Sequence, residues 1–302
     1  MGGAVPRFVD VDDLSRSELF AVLDRAAALK RAAGRGEPHR YLAGDTLAMV
    51  FEKPSTRTRV SFETGMTQLG GHAVFLGPDD IGLDGREPIR DIARSLSQYV
   101  DGIMARVFDH ADAVELADYA TVPVVNGLTD DAHPCQTLAD LLTIRESCGF
   151  DASVAWVGDG NNVAQSFVVG AALAGLDLTV ATPAGYGIDD DVLERAAELG
   201  AAPETTDDPA AAVAGADVVY TDVWVSMGQE DEREEKLGVF EAGGFQLDDD
   251  LLDDQRVMHC LPAHRGEEIT DAVIESDRAL VWTQAGNRLH AQKALLTRLL
   301  GD

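Results

Sequence analysis

The sequence predicts an α/β fold made of two doubly wound domains, each built on a parallel β-sheet. Short apolar segments with strand character alternate with amphipathic helical segments along most of the chain. The length of 302 residues suits two domains of about 150 residues each. A change in composition at 148–151 marks the expected boundary between them. Helices connecting parallel strands are then expected on both faces of each sheet.

The first half of the chain opens with a helix predicted over 11–33. Four strands and four helices then alternate, with strands predicted at 46–51, 72–76, 101–106 and 122–126 and helices at 57–69, 88–99, 109–119 and 134–147. Each strand is a short apolar run, and each helix repeats its apolar residues at helical spacing. This alternation predicts one complete α/β domain.

The second half repeats the same alternation. Strands are predicted at 153–157, 178–181, 217–221, 256–260 and 279–283, with helices between them and a last helix over 287–300. In parallel sheets, ligands bind beyond the carboxyl ends of the strands. The polar residues that stand out in this sequence follow such strand ends, which makes them the best choices for a binding site.

The composition is strongly acidic. The chain has 53 acidic and 24 basic residues, a net charge of −29 and a pI near 4.4. Nucleic acids and anionic membranes are therefore poor partners, because the long-range field repels both. Only four lysines are present. We interpret this composition as adaptation to high salt, where the screening length falls to about 3 Å at 1 M.

The cysteines indicate no disulfide framework and no metal site. Cys135, Cys148 and Cys260 have no framework spacing, and neither a CxxC pair nor an HExxH motif occurs. We expect reduced thiols, no metal and no cofactor. Residues 1–13 lack the apolar core of a signal peptide, and no segment reaches the ~18 apolar residues that span a bilayer. A cytoplasmic location without a membrane partner is expected.

Ser55-Thr56-Arg57-Thr58-Arg59 has the clearest chemical character. It follows a predicted strand and opens a predicted helix, so its first residues suit an N-cap and both arginines lie in the first turn. Free backbone N–H groups, hydroxyls and guanidinium groups together suit a phosphate or another compact dianion. Acids are the usual first-turn residues, so basic ones suggest a bound anion. The alternative interpretation is a capped helix with two solvated arginines.

Three other polar residues of the first half lie at a strand end or a helix start. Arg106 ends a predicted strand, where it can reach a ligand of the 55–59 segment, although a surface arginine is the simpler alternative. His133 and Gln136 open a predicted helix with Pro134 in the first helical position. Their spacing of three lets both face one ligand, and imidazole with amide suits a small acyl donor. The alternative is a capping histidine at a domain junction.

A glycine-rich turn follows the first strand of the second half. It begins like a dinucleotide-binding loop, but Val163 occupies the position of the third glycine. The neighbouring Asn161 and Asn162 suit a zwitterionic amino acid better than a pyrophosphate. Asp222 follows a later strand and can pair with an ammonium, and Ser226 can bond an amino or carboxylate group. The alternative for this last segment is an N-capped loop.

Cys260 ends the strand predicted at 256–260, between His259 and Leu261-Pro262. A strand-end cysteine in this setting can act as a nucleophile, as a ligand or as a polar contact. A buried structural cysteine is an equally simple alternative. The residues alone leave these interpretations open.

Together these segments resemble the ornithine branch of the aspartate/ornithine carbamoyltransferase family. The resemblance runs from Phe51 to Lys293 and so covers nearly the whole chain. The segments at 51–59 and 133–136 are similar to the carbamoyl phosphate site of the wider family. Three further motifs are similar to the ornithine branch: Asp222 with Ser226-Met227-Gly228, His259-Cys260-Leu261-Pro262, and Asn287-Arg288 with Lys293.

The resemblance implies transfer of the carbamoyl group of carbamoyl phosphate to the side-chain amine of L-ornithine. The products are L-citrulline and phosphate, and arginine breakdown runs the reaction in reverse. It also implies a carbamoyl phosphate-binding domain over 1–148, completed by a C-terminal helix over about 286–302, and an ornithine-binding domain over 149–285. The active site is expected in the cleft between the two domains.

The resemblance also implies the site residues. Carbamoyl phosphate is expected to contact Ser55, Thr56, Arg57, Thr58, Arg106, His133, Gln136, Cys260, Leu261 and Arg288. Ornithine is expected to contact Asn162, Asp222, Ser226 and Met227. The catalytic residues are expected to be Arg57, Arg106, His133, Asp222 and Cys260. The loop at 226–238 is the expected lid.

The sequence departs from the family at one position. Gly82 stands where the family usually carries a glutamine that reaches the carbamoyl phosphate of a neighbouring subunit. The departure puts that contact between subunits in doubt. The resemblance still implies a homo-oligomer, a trimer or a multiple of trimers.

Four alternative functions are distinguishable. Aspartate carbamoyltransferases share the first two motifs but are not expected to carry the Ser-Met-Gly and His-Cys-Leu-Pro motifs. Transferases for putrescine or acylated ornithines differ around the Asp222 loop. A dinucleotide-dependent oxidoreductase needs a more complete fingerprint than 158–163 provides, and a non-catalytic amino-acid sensor is expected to lose Arg57, His133 or Cys260.

Overall fold

The computed structural model describes residues 6–81 and 87–301, and the chain divides into two compact units. The first unit comprises Met1–Ala139 and Asn287–Asp302, and the second comprises Asp140–Gly286. Gly82, the position at which the sequence departs from the family, lies outside the described residues. Each unit contains one five-stranded sheet whose described strand pairs are all parallel. The predicted fold class of two parallel α/β units is confirmed.

The first sheet has the strand order β1-β5-β4-β2-β3. Its strands are β1 (Arg7–Phe8), β2 (Thr46–Phe51), β3 (His72–Leu76), β4 (Gly102–Arg106) and β5 (Val124–Leu128). The helices along this part of the chain are α1 (Arg16–Gly34), α2 (Thr56–Leu69), α3 (Pro78–Ile81), α4 (Ile89–Leu96), α5 (His110–Tyr119) and α6 (Pro134–Ser147), with a 3-10 turn at Val11–Asp13.

The second sheet has the strand order β10-β9-β6-β7-β8. Its strands are β6 (Ser153–Val157), β7 (Asp177–Ala181), β8 (Glu204–Thr206), β9 (Val218–Thr221) and β10 (Arg256–His259). The helices are α7 (Asn162–Ala174), α8 (Asp190–Leu199), α9 (Pro209–Val213), α10 (Arg233–Ala242), α11 (Asp271–Ile274) and α12 (Val281–Leu300), with a 3-10 turn at Glu230–Glu232. The division between the units falls inside α6 and α12.

Burial explains why the strands are short apolar runs. Five of the six residues of β2 are buried, and every residue of β4, β5 and β9 is buried, as expected for strands covered on both faces. Helix α7 is apolar almost all round and buries 12 of its 13 residues, so it is a core helix. Among the described residues, no helix is both long and apolar enough to cross a bilayer.

The order of strands places the site. In the first sheet the chain proceeds from β2 to β3 and then returns to the other side of β2 with β4. In the second sheet it proceeds from β6 through β7 to β8 and returns beside β6 with β9. Such a reversal opens a crevice at the carboxyl ends of the two neighbouring strands, where doubly wound sheets bind ligands. Residues 55–59, Asn162 and Asp222 follow β2, β6 and β9, and Arg106 ends β4. His133 and Cys260 instead follow the neighbouring strands β5 and β10.

Several predicted elements need correction. The strand predicted at 279–283 is wrong, because α12 begins at Val281 and Ala279 contributes only one bridge, to Val257. Short apolar runs suit a strand and a buried helix equally well, which explains the error. Helix α1 begins at Arg16, after a capping box formed by Ser15 and Glu18. Strands β1 and β8, with two and three residues, are too short to show a period.

Candidate active site

The N-terminus of α2 brings together the polar groups that the sequence predicted there. Ser55 is the N-cap residue, and its Oγ accepts a hydrogen bond from the backbone N–H of Thr58 at 3.2 Å. The Ser55 hydroxyl also donates to Thr58 Oγ1 at 3.1 Å. The first turn contains no acidic residue, so the positive end of the helix dipole is not neutralised from within the helix. The predicted capping role of Ser55 is confirmed, and Thr56 becomes the first helical residue.

Arg288 joins three of the predicted residues. Its buried guanidinium donates to Thr58 Oγ1 at 2.8 Å and to Gln136 Oε1. A third contact joins its Nη1 to His133 Nε2 at 3.3 Å. Helices α2, α6 and α12 therefore bring residues together that are more than 150 positions apart in the sequence. Sequence spacing alone could not show this contact.

The electrostatic environment of His133 shows which other cations are near. Burial of the ring lowers its pKa well below the usual value, and the positive charges of Arg288, Arg106 and Arg57 act in the same direction. The imidazole is therefore neutral near pH 7. Because a guanidinium only donates, Nε2 accepts from Arg288, and the ring proton lies on Nδ1. We call Arg57, Arg106, His133 and Arg288 the arginine cluster.

Arg106 takes part in this cluster from the end of β4. It is 6% exposed and stands in register beside Phe51, the last residue of β2. β2 and β4 are the two strands between which the chain order reverses, so Arg106 lies at the crevice that the topology predicts. Three guanidinium groups so close together repel one another. A bound dianion would relieve that repulsion.

Arg59 does not join the cluster, contrary to the expectation that both arginines of the first turn converge. Its guanidinium pairs with Glu63 at 2.9 Å and lies 3.9 Å from the centre of the Phe75 ring. Residues two apart on a helix project in nearly opposite directions, which separates Arg59 from Arg57. Arg59 is therefore a surface arginine.

In the second unit, Asp222 and Cys260 form a buried pair at the ends of β9 and β10. The thiol of Cys260 donates to Asp222 Oδ1 at 2.9 Å, and Asn161 Nδ2 donates to Asp222 Oδ2 at 2.9 Å. Asn161 also caps α7, because its Oδ1 accepts from Val163 N at 3.0 Å and Ala164 N at 3.1 Å. Both carboxylate oxygens are thus held by donors. The structure brings together the two residues expected near the amine.

A second layer of hydrogen bonds fixes the end of β10. Leu261 N donates to His259 Nδ1 at 2.9 Å, so the ring proton lies on Nε2 and is donated to Glu268 Oε1 at 2.9 Å. Leu261 has a φ of 63°, a left-handed conformation that non-glycine residues rarely adopt. Such a conformation persists only where the surrounding structure holds it. Leu261 directly follows Cys260, so the backbone next to the thiol is held in place.

The remaining predicted residues lie in exposed or partly exposed positions. Asn162 is the first residue of α7, and Ser226 and Met227 lie in the segment after β9. Ser226 is partly exposed, and Met227 is 50% exposed. These three side chains are accessible to a ligand. Their roles as ornithine contacts stay predictions.

Within residues 6–81 and 87–301, two groups of side chains have the ligand types of a metal site. The donor atoms of Asp222, His259 and Cys260 lie within 4.8 Å of one another, but the hydrogen bonds just described account for that proximity. His264, Glu267 and Glu268 form the second group. The hydrogen bond from His259 explains the position of Glu268 there.

Glu268 and Lys236 are buried polar residues that were not predicted from the sequence. Glu268 is fully buried beneath His259, and Lys236 is buried beside the glycine-rich turn after β6. Both lie in segments rich in acidic residues, where the expected role is a solvated surface. No periodic pattern in the sequence marks them as buried.

Comparison with known proteins gives the family. Residues 7–146 match the carbamoyl-P binding domain of aspartate/ornithine carbamoyltransferases, and residues 151–299 match the Asp/Orn binding domain. These two matches cover almost the whole chain. The first match contains Arg57, Arg106 and His133, and the second contains Arg288 and the Asp222–Cys260 pair.

Individual relatives agree along their full length. An ornithine carbamoyltransferase of Haloquadratum walsbyi is 63% identical over 299 residues, 98% of each chain. One from Pyrococcus abyssi is 53% identical, covering 96% of this chain and 94% of the relative. The solved structure of the Pyrococcus furiosus ornithine carbamoyltransferase has a TM-score of 0.93 at 51% identity, covering 99% of both chains. The chain therefore belongs to the aspartate/ornithine carbamoyltransferase family, and within it to the ornithine carbamoyltransferases.

Proposed function

We propose that this enzyme transfers the carbamoyl group of carbamoyl phosphate to the side-chain amine of L-ornithine, giving L-citrulline and phosphate. The observation that carries the proposal is the arginine cluster at the N-terminus of α2. Three guanidinium groups around one neutral imidazole, in a chain with a net charge of −29, suit a small dianion with a carbonyl group. Family membership supports the same substrates.

The phosphate group of the donor suits the start of α2. Ser55, Thr56 and Thr58 supply hydroxyls there, and the backbone N–H groups of the first turn point at the same place. Arg57 and Arg106 add two charges that balance the dianion. The leaving phosphate therefore stays bound while the bond to the carbamoyl carbon breaks.

The carbamoyl group suits the other side of the cluster. A neutral His133 donates through Nδ1–H, and Arg288 donates to an oxygen on which charge develops during attack. Gln136 offers an amide to the amino end of the carbamoyl group. Such donors are fixed before the reaction begins, so little reorganisation is needed at the transition state.

The acceptor amine must lose a proton before it attacks. An amine with a pKa of about 10.4 is neutral in about one molecule per thousand at pH 7.4, which costs about 4 kcal/mol. We propose that the buried Asp222–Cys260 pair binds this amine and that the Asp222 carboxylate accepts the proton that the ammonium loses. Asn162, Ser226 and Met227 are proposed to hold the rest of the amino acid.

The transfer needs no covalent enzyme intermediate. The amine nitrogen forms a bond to the carbamoyl carbon and the carbon–oxygen bond to phosphate breaks. The proton that the nitrogen then loses passes to the leaving phosphate. Correct positioning of the two substrates and stabilisation of the carbonyl oxygen can supply most of the rate acceleration. Cys260 then acts as a polar contact to Asp222 rather than as a nucleophile.

The domain roles belong to the same proposal. Residues 1–148 with the C-terminal helix over about 286–302 are proposed to bind carbamoyl phosphate, and residues 149–285 are proposed to bind ornithine. The matches to a carbamoyl-P binding domain and an Asp/Orn binding domain support this assignment.

We further propose a cytoplasmic enzyme of arginine metabolism that works in high salt as a homotrimer or a multiple of trimers. The acidic composition and a relative from a halophile support the high-salt setting. The ornithine carbamoyltransferase of Pyrococcus furiosus is named anabolic, which supports a place in arginine metabolism.

Product analysis tests the reaction directly. Incubation with ¹³C-carbamoyl phosphate and ornithine in molar KCl should place the label in the ureido carbon of citrulline, detected by NMR. One phosphate should appear for each citrulline. Release of phosphate without labelled citrulline would contradict the proposal, because it would indicate a hydrolase.

A further inference from the structure

Lys236 is buried where the sequence suggests a solvated surface. It lies in α10 after the acidic segment 230–235, yet it is only 3% exposed. Its ammonium group contacts three side chains, and none of them belongs to α10. A buried ammonium is unfavourable unless its N–H groups are all used. The contacts that use these N–H groups therefore show what the buried ammonium of Lys236 holds together.

The first contact ties α10 to the glycine-rich turn after β6. Lys236 Nζ donates to Asp159 Oδ2 at 2.8 Å, and both side chains are less than a tenth exposed. Burial raises the pKa of Asp159, and the hydrogen bond and charge of Lys236 oppose that rise. Two residues further on, Asn161 donates to Asp222 Oδ2. The same turn therefore carries the partner of Lys236 and a partner of Asp222.

The second contact ties α10 to the segment after β9. Lys236 Nζ donates to Gln229 Oε1 at 2.8 Å. The same oxygen accepts from Ser226 N at 3.3 Å, and Gln229 N donates to the carbonyl of Ser226 at 3.1 Å. Gln229 thus closes a turn that begins at Ser226 and includes Met227. Through Gln229, Lys236 holds the backbone of that turn.

The third contact is with an aromatic ring. The ammonium lies 5.3 Å from the centre of the Tyr186 ring, within the range of a cation–π interaction. Lys236 therefore has two hydrogen-bond acceptors and one ring face around its three N–H groups. A planar guanidinium fits such a tetrahedral arrangement less well than an ammonium does.

We propose that Lys236 is a positioning residue for the amino-acid acceptor, acting by fixing the 226–229 turn against the 158–161 turn. The proposal rests on the proposed function, because it takes Asp222, Ser226 and Met227 to be the residues that meet ornithine. Lys236 itself touches none of them. It sets the spacing between the two turns, so it should affect the acceptor and leave binding of carbamoyl phosphate unchanged.

Steady-state kinetics with each substrate varied in turn tests the proposal. Lys236→Met should raise KM for ornithine at least tenfold and change KM for carbamoyl phosphate less than twofold. Lys236→Arg keeps the charge and should recover part of the loss. Gln229→Ala removes only the branch to Ser226 and leaves the Lys236–Asp159 pair intact, so it should raise KM for ornithine with little change in unfolding temperature.

Glu234→Gln is the matched control, because it removes one charge from an exposed position on the same helix. It should leave both KM values unchanged. Equal changes in both KM values for Lys236→Met and Gln229→Ala, or no change in either, would overturn the proposal. If Lys236→Met does not fold, the Gln229→Ala result decides. A wild-type enzyme that makes no citrulline would instead refute the proposed function.

Discussion

Lys293 is a buried charge whose titration makes the free energy of unfolding depend on pH. The residue is fully buried, and its ammonium donates to Gln68 Oε1 at 2.7 Å and lies 3.1 Å from His39 Nε2. Because His39 Nδ1 donates to the carbonyl of Glu37, its Nε2 is free to accept from Lys293. Burial lowers the pKa of Lys293 from 10.5 to about 8. The folded state therefore holds this proton less tightly than the unfolded state does.

The sign of the effect follows from proton binding. Below pH 8 Lys293 is charged in both states, and the folded state bears a cost of about 3 kcal/mol. Between pH 8 and 10.5 the unfolded state binds more protons, so stability rises with pH by up to about 1.4 kcal/mol per unit. Lys293→Met lacks this contribution. Urea unfolding of both proteins across this range should show wild type gaining relative to the variant, and a constant difference would contradict the account.

His133 is a second residue whose chemistry depends on its surroundings. Burial and three guanidinium groups lower its pKa, so it stays neutral where an exposed histidine would begin to be protonated. The predicted position of His133 and Gln136 at a helix start is confirmed, and their contact with carbamoyl phosphate stays a prediction. The sequence could not predict the tautomer, because the contact with Arg288 joins positions 155 residues apart.

At the scale of elements, α2 shows what could be predicted and what could not. An apolar strand, a serine cap and a basic first turn predicted the helix start and its anion preference from local sequence alone. The helix period places the two arginines on different faces. It does not give their surroundings, which are Glu63 and Phe75 for Arg59 and His133 for Arg57.

The two faces of α2 give a matched pair of variants. Arg57→Met removes a charge from the arginine cluster and should lower kcat/KM by roughly 10²–10³-fold, as loss of a group that stabilises the transition state typically does. Arg59→Met removes the same group from the exposed face and should change kcat/KM less than threefold. Both should be measured with thermal unfolding as a check on folding. Equal losses in activity would remove the distinction between the two faces.

Helix α12 shows the limit of local prediction. Residues 279–283 form a short apolar run, which was predicted to be a strand. In the structure, α12 begins at Val281 within this run. The helix then supplies Arg288 to the arginine cluster and Lys293 to its own buried contacts. An element whose start was predicted wrongly therefore carries Arg288, whose contact with carbamoyl phosphate stays a prediction.

At the scale of the whole molecule, lysines and acidic residues occupy different places. The four lysines all make internal contacts: Lys30 with Asn287, Lys53 with Asp130, Lys236 with Asp159, and Lys293 with Gln68. Three of them are at most 3% exposed. The acidic residues instead dominate the surface segments. Composition predicted the excess of acid, but no sequence pattern indicated the internal role of the lysines.

Salt should therefore stabilise this protein. A net charge of −29 produces self-repulsion that is screened as the Debye length shortens. Raising KCl from about 0.1 M to 3 M should increase the unfolding temperature by about 10 °C, or roughly 6 kcal/mol for a chain of this size. Sucrose at matched osmolality is the control, because it favours burial without screening charge. An unfolding temperature independent of KCl would refute adaptation to high salt.

The central claim is that ornithine is the carbamoyl acceptor. The most direct measurement is the rate at which the carbamoylated product forms from carbamoyl phosphate in molar KCl. Four acceptors are compared at equal concentration: ornithine, putrescine, N-acetylornithine and aspartate. The Asp222–Cys260 pair and the exposed Ser226 and Met227 suit an acceptor with a free α-amino acid end and a side-chain amine. We expect a kcat/KM for ornithine at least 100-fold above that for each of the other three acceptors. Turnover with any of those three and none with ornithine would contradict it.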